Sequence, residues 1–197
     1  MASGVAVAGG RVWVGGGDRL VGVDLQSGRT VDSIPVAADA GTASDGRYLY
    51  QLAGKRIQKV DPQTGEVVGA IPAPGEGKDS GMAWAEGCLW VGQFRDRVIV
   101  QIDAETGEVL KRIASDRFVT GVCWQEQSLW HGTLEEDSSE LRRIDAETGE
   151  VLERYAMPTG SIITGLAADG DEFLCGGGSS GAVRRVVPTR RATPNKR

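Results

Sequence analysis

The chain has 197 residues, 40% of them hydrophobic, with 29 glycines and a formal charge of −5 from 27 acids against 22 lysines and arginines. That length is enough for one domain with a sizeable core, and an acidic surface repels phosphate backbones, which excludes nucleic acid as a partner of the body of the chain. No apolar run approaches membrane-spanning length, and Met1-Ala-Ser-Gly offers neither a basic nor an apolar leader, so the expectation is a soluble cytoplasmic protein without a membrane partner, although a trimmed secreted chain would read the same way.

Read from the N-terminus, the first organising feature is Gly4 with Trp13 nine positions on. The spacing returns at Gly41/Tyr50, Gly81/Trp90, Gly121/Trp130 and Gly165/Leu174. A second marker, Asp-x-x-[Ser/Thr]-Gly, closes four of the five units, at Asp24 to Gly28, Asp61 to Gly65, Asp103 to Gly107 and Asp145 to Gly149. Each unit divides into four short runs, which in the third are 81–85, 89–92, 98–103 and 108–113. Their β-branched content and Gly/Asp boundaries are strand signals, and no stretch sustains a helical period. An all-β chain repeating every 40 residues or so predicts a five-bladed β-propeller, its four-stranded sheets standing radially round an axis.

Within the innermost strand, Val5, Thr42, Met82, Val122 and Leu166 fill one slot. The next slot holds only Ala6, Ala43, Ala83, Cys123 and Ala167, as expected where inner strands crowd. Cys123 therefore reads as a small buried residue. With Cys88 and Cys175 it makes an odd count without CxxC spacing, which argues against disulfides and zinc. The tryptophans inside strands are expected to pack between blades.

The fifth unit ends differently. After its third strand, at 182–187, Pro188 intervenes and no Asp-x-x-[Ser/Thr]-Gly turn follows, so the last blade is expected to lack its outer strand. The domain is read as 1–188, and 189–197, with Arg190, Arg191, Lys196 and Arg197, as a basic C-terminal tail. Three closures stay open: a charged edge strand at 189–193, blade packing alone, or a fragment of a longer propeller.

Loop lengths single out one face. The glycine-to-aromatic spacing is constant, whereas the spans Trp13–Asp24, Tyr50–Asp61, Trp90–Asp103 and Trp130–Asp145 are 11, 11, 13 and 15 residues, and the connections into the next glycine also vary. In a propeller both variable loop types leave on one side, where binding is usually built. Lys78, Asp79, Gln93, Arg117 and Phe118 fall there. Thr120 and Thr164, with Ser3 and Ser80, precede the repeat glycines and are expected to ring the axial mouth as ligand hydroxyls or as caps of their own turns. Glu76, Asp79 and Asp116 are too scattered for a metal site, and the glycine-rich stretches 15–17 and 176–181 open no helix, so neither cradles a phosphate. His131 is the sole histidine. It is a candidate acid/base oriented by Glu135, or else a buried imidazole held by a backbone carbonyl.

Leu89-Trp-Val-Gly, Val100-Gln-Ile-Asp-Ala-Glu-Thr-Gly-Glu-Val-Leu and the near copy at 143–152 resemble the bacterial propeller repeats of the quinoprotein-like, YVTN and streptogramin lyase-like groups, and are similar to the units of five-bladed glutamine cyclotransferases. The resemblance implies the fold. It implies no quinone or other cofactor, since the tryptophan that usually ends a quinoprotein unit is missing after Val109 and Val151. Two functions stay open: a propeller that binds a small polar molecule or a protein partner on its variable face, or a lyase or cyclotransferase-like enzyme with its site at the axial mouth near His131, Lys78 or Arg117 holding an anion.

Overall fold

A computed structural model describes residues 2–177 and 181–188. Nineteen strands form five antiparallel sheets, each a simple meander. Blade 1 is β1 (Gly4–Ala8), β2 (Arg11–Gly16), β3 (Arg19–Asp24) and β4 (Thr30–Ile34); blade 2 is β5 (Thr42–Ser44), β6 (Leu49–Ala53), β7 (Arg56–Val60) and β8 (Val67–Pro72). Blade 3 is β9 (Asp79–Ala85), β10 (Cys88–Gln93), β11 (Val98–Asp103) and β12 (Val109–Ala114); blade 4 is β13 (Phe118–Gln125), β14 (Ser128–Glu135), β15 (Ser138–Ile144) and β16 (Val151–Ala156). Blade 5 has three strands, β17 (Gly165–Asp169), β18 (Glu172–Gly176) and β19 (Val183–Val186). Among the described residues this blade has three strands, and the edge strand envisaged at 189–193 falls outside them. No helix occurs among the described residues, and so none long and apolar enough to cross a membrane.

The inner strands β1, β5, β9, β13 and β17 contact one another in turn, and β17 returns to β1, so the sheets close into a ring. The repeat glycines are what allow it. A Cβ on Gly4 would lie 2.5 Å from Thr42 N, one on Gly41 2.5 Å from Met82 N, and one on Gly81 on top of Thr120 O and Val122 N. Gly121 faces Leu166 N at 2.9 Å and Gly165 faces Val5 N at 2.9 Å in the same sense. Each glycine therefore abuts the backbone of the next blade, and Gly41 N donates to Ser80 O across one of these contacts at 2.6 Å. Below the ring, the three residues after each glycine line an axial channel of about 140 Å³ reaching Ser44, Trp84 and Trp124.

The seams between blades hold the core. Trp13 packs with Leu20, Ile34 and Leu49 between blades 1 and 2, Trp90 with Ile113 and Leu129 between blades 3 and 4, and Trp130 with Phe173 between blades 4 and 5. Val5, Val12, Ala167 and Leu174 close the seam from blade 5 to blade 1. Cys123 and Cys175 are buried free thiols in the seam of blades 4 and 5, and burial pushes Cys175 up to about 12. In the Asp-x-x-[Ser/Thr]-Gly turns each aspartate accepts backbone amides through Oδ1, as Asp145 does from Thr148 N at 2.7 Å. The glycine amide then donates to the aspartate carbonyl, and its φ of 66–78° suits glycine.

Because the sheets are meanders, the turns joining first to second and third to fourth strands leave at one end of the ring, and the variable connections leave at the other. The glycines mark that variable end. In blades 3 and 4 the inner strand runs on past its glycine through a β-bulge: Ser80 and Gly81 oppose Gly92, and Thr120 and Gly121 oppose Gly132. Asp79, Gln93, Phe118 and Leu134 are paired beyond the ring as a result, so these two blades stand taller on that face than the others.

Gly41→Ala should cost about 3 kcal/mol or more of stability, because the added methyl overlaps backbone that cannot rotate away. Gly69→Ala, whose Cβ would meet nothing nearer than Lys59 Cβ at 3.9 Å, should be neutral or slightly stabilising. Urea unfolding of the pair checks the ring, and equal losses would refute it.

Candidate functional site

The extended hairpins of blades 3 and 4 form a polar and aromatic lip on the variable face. Phe94, just past β10, stacks on Phe118 at the start of β13 with centroids 4.7 Å apart. The Arg97 guanidinium lies 4.4 Å over Phe118, donates to Asp116 O at 2.6 Å and pairs with Glu135 Oε1 at 2.9 Å. Arg117 reaches the next hairpin and donates to Ser138 O at 2.8 Å and Ser138 Oγ at 2.5 Å, with Glu140 Oε1 3.7 Å away. Arg142, only 2% exposed, donates to Glu140 Oε2 at 2.7 Å and to Asp116, whose carboxyl it holds below the usual carboxylate range. Two acids thus neutralise the one buried guanidinium, the condition under which a buried charge is tolerated.

Satisfaction is incomplete around this lip. Among the described residues, the buried side-chain atoms without a hydrogen-bond partner are Asp79 Oδ1, Arg117 Nε, Thr120 Oγ1, Thr133 Oγ1, Glu135 Oε2 and Gln58 Oε1. All but Gln58 belong to β9, β13, β14 or the connection into β13. A desolvated polar atom left unpaired costs about 1–3 kcal/mol, so clustering five of them in two neighbouring blades marks a place where stability has been given up. Asp79 shows the same stress: burial raises its carboxyl above the ordinary value, despite amide donation from Gly75 at 3.2 Å.

The sequence-derived candidates divide into three groups. Arg117, Phe118 and Glu135 converge on the lip. Asp79 and Gln93 pair across the bulge of blade 3, with Lys78 exposed in the connection before them. Thr120 and Thr164 part company, and the expected ring of hydroxyls resolves into clips between blades. Ser3 Oγ donates to Ala38 O at 2.9 Å, Ser80 Oγ to Val119 O at 2.9 Å and Thr164 Oγ1 to Ala2 O at 2.7 Å, each tying one blade to the next, whereas Thr120 has no partner.

His131 sits in the middle of β14, level with Val122 and Arg142, and is 1% exposed. Its Nδ1 lies 3.3 Å from Gly132 O. Glu135 is four residues along the same extended strand, about 13 Å away at strand rise, and is held by Arg97, so it does not orient the imidazole. Nor does the ring open beside the axis: it borders a seam cavity of about 220 Å³ between blades 3 and 4, with Asp116 and Arg142 at one end and Ile99, Ile113, Ile144 and Val151 for walls.

Asp116 entered the sequence reading only as a rejected metal ligand, and Arg97, Glu140 and Arg142 did not enter it. The signal for Arg142 was there: its slot holds Val21, Gln58 and Val100 in the preceding units, so a charge at that position of a middle strand was anomalous.

A family profile described as "Outer membrane protein assembly factor BamB" matches residues 53–189. No curated protein sequence matches the chain. Among solved structures, glutaminyl cyclase of Myxococcus xanthus aligns with a TM-score of 0.73 at 14% identity, covering 88% of this chain and 84% of that one. A streptogramin B lyase aligns at 0.57 with 18% identity over 96% and 70% of the two chains. The Cps50 (Swd1) β-propeller domain of Myceliophteria thermophila aligns at 0.60 with 20% identity over 98% and 67%. Likeness at such identities establishes the fold.

Burial, and secondarily the Arg142 charge, lowers the His131 pKa to about 4 from an ordinary 6.5. The folded protein then holds its imidazole neutral at pH 7, and the unfolded chain takes up the proton first as pH falls. Stability is therefore present above pH 6.5 and lost between there and pH 4, by about 3 kcal/mol for this group. Urea titrations at pH 7 and pH 4.5 should show a smaller loss in His131→Gln, a residue already used in this slot at Gln51. An identical pH slope in the variant would refute the burial argument.

Proposed function

The chain belongs to the repeat family described as outer membrane protein assembly factor BamB, and from that premise we propose that it is a binding propeller whose blade 3 and 4 lip takes a peptide-like group, from a small polar molecule or from a protein partner. The observation that carries this reading is the cluster of buried, unpartnered polar atoms beside Phe94 and Phe118. Glu135 Oε2 and Asp79 Oδ1 lack donors and Arg117 Nε lacks an acceptor, so a ligand that draws these buried side chains toward itself supplies the partners they are missing. A ligand that offers both, with an apolar side chain to lay on the phenylalanines, matches amide or zwitterionic chemistry better than a plain anion or cation. The bulges support the assignment, since they lift these two blades and no others above the ring.

The similar glutaminyl cyclase and streptogramin B lyase carry enzyme names, which keeps the catalytic alternative in view for this fold. The acid/base it would need, His131, is neutral and walled into a seam. Binding without turnover accounts for the lip with fewer assumptions.

Glu135→Gln keeps the shape of the side chain and removes its charge. Affinity for amino acids or dipeptides found by a thermal-shift screen should fall about tenfold or more, as expected for one charge-assisted hydrogen bond, with stability changed by under about 1 kcal/mol. Unchanged affinity, or amide shift perturbations mapped by NMR to the Asp-x-x-[Ser/Thr]-Gly turns, would refute the site.

A further inference from the structure

In the first three blades the outer strand does a second job. Its last residues lie over the turn glycine of the following blade: Ile34 Cγ2 would be 3.5 Å from a Cβ on Gly65, Pro72 3.0 Å from one on Gly107, and Ile113 2.6 Å from one on Gly149. Ile34 and Ile113 pair with Leu20 and Ile99 on their own third strands and are buried in the seam. At the seam from blade 5 to blade 1 this pattern stops. Around Gly28, the turn glycine of blade 1, no described residue lies within 4 Å of a Cβ, and no described strand stands beyond β19.

What remains is an open slot of about 160 Å³, walled by Val12, Val23, Leu25, Leu174 and Val183. A cavity of about 150 Å³ admits a benzene ring, so this one accepts a large apolar side chain. Val183 is the counterpart of Leu20, Ile57, Ile99 and Leu141, which pair with Ile34, Ile71, Ile113 and Tyr155. The repeat thus specifies what belongs opposite Val183: an isoleucine or an aromatic residue pointing at blade 1. It specifies the neighbour too. Arg185 is the counterpart of Arg143, which pairs across the sheet with Glu153 at 2.5 Å, two residues before Tyr155; Arg185 itself is held on the inner side of its sheet by Asp169 at 3.0 Å and Glu172 at 2.5 Å, so an incoming acid would have to draw part of the guanidinium to the outer side.

We propose that the edge of β19 is a docking site for an extended segment of another polypeptide, added as the fourth strand of blade 5 and carrying an acidic residue two positions before a large apolar or aromatic one. Main-chain hydrogen bonds along β19 supply the pairing, and the slot and Arg185 supply the selection. The chemistry argues against two other occupants. Residues 189–197 hold no acid and no aliphatic side chain larger than Ala192 apart from Pro194, so they do not match this pattern. A second copy pairing β19 with β19 would set arginine against arginine, which is destabilising in directly opposed positions. The docking site is separate from the lip on blades 3 and 4 and does not rest on the function assigned there.

The test uses a fluorescent peptide Glu-Val-Leu-Glu-Arg-Tyr-Ala, the outer strand of blade 4 at 150–156, titrated into the full chain. It should bind, and a scrambled peptide should not. Gly28→Asn fills the slot entrance while keeping a residue that tolerates the left-handed φ of +66° in open surroundings, so it should melt like the parent and bind at least tenfold more weakly. Arg185→Glu should lose binding likewise and regain it with a peptide carrying lysine for the central glutamate. The proposal is overturned if the full chain ignores the peptide or binds the scrambled one equally. Binding only after removal of 189–197 overturns it as well, by making the chain's own tail the occupant. So does sedimentation of the free chain as a dimer that the peptide dissociates, by making a second copy the occupant.

Discussion

Five inner strands meet round an axis where the space between neighbouring backbones is less than a methyl group needs, and the remaining geometry follows from that contact. Gly4, Gly41, Gly81, Gly121 and Gly165 are each pressed against the next blade. Among the described residues the last blade has three strands, and the ring is held at this contact and along the seams. The hydroxyls of Ser3, Ser80 and Thr164 reinforce the same contact from one blade to the next, and Thr164 does so across the join of blade 5 to blade 1. Once the inner strands are fixed, the next position on each has room only for alanine or cysteine, and the bulky side chains move outward into the seams.

The ring also decides where chemistry can occur. The glycines pinch the axis at the variable end, and the channel volume lies behind them, lined mostly by small apolar residues. The bulges at Gly81 and Gly121 carry β9 and β13 past the ring and raise the lip off the axis. The two tall blades then bring Arg97, Arg117 and Glu135 from different repeats into one network and leave several of its atoms short of partners. A network half-satisfied in this way is a liability for stability alone and an asset for recognition. Buried Arg142 stands between this lip and His131, neutralised by Asp116 and Glu140 on one side and disfavouring a proton on the imidazole on the other.

Much of the fold was legible because a repeat multiplies each local signal. One Gly-to-Trp spacing says little, and five of them count the blades; Pro188 and the absent turn foretold a three-stranded fifth blade. The site was legible in part. Of the residues that meet on the lip, Arg117 and Phe118 were singled out by where loop length varies, and Glu135 as a partner for His131. Thr164 looked like a ligand hydroxyl in sequence and is spent on Ala2 O in the structure. His131 and Glu135 looked like neighbours and are about 13 Å apart along a strand. Arg142 stood in a slot that holds Val21, Gln58, Val100 and Arg184 in the other units, and its two acidic partners, one of them from the connection between blades, explain why it can stay buried there.

The sequence by itself determined the order of the strands, the number of blades and the crowded inner slots, because these depend on residue type and on periods of two and about forty within one stretch of chain. Tertiary structure alone decided which hydroxyls became clips, which acids neutralise Arg142, that the channel is pinched at the variable end, and that Gly28 alone among the turn glycines lies uncovered. Each of those depends on a partner a whole blade away, or on the far side of the ring, and a one-residue bulge changes which side chains share a face.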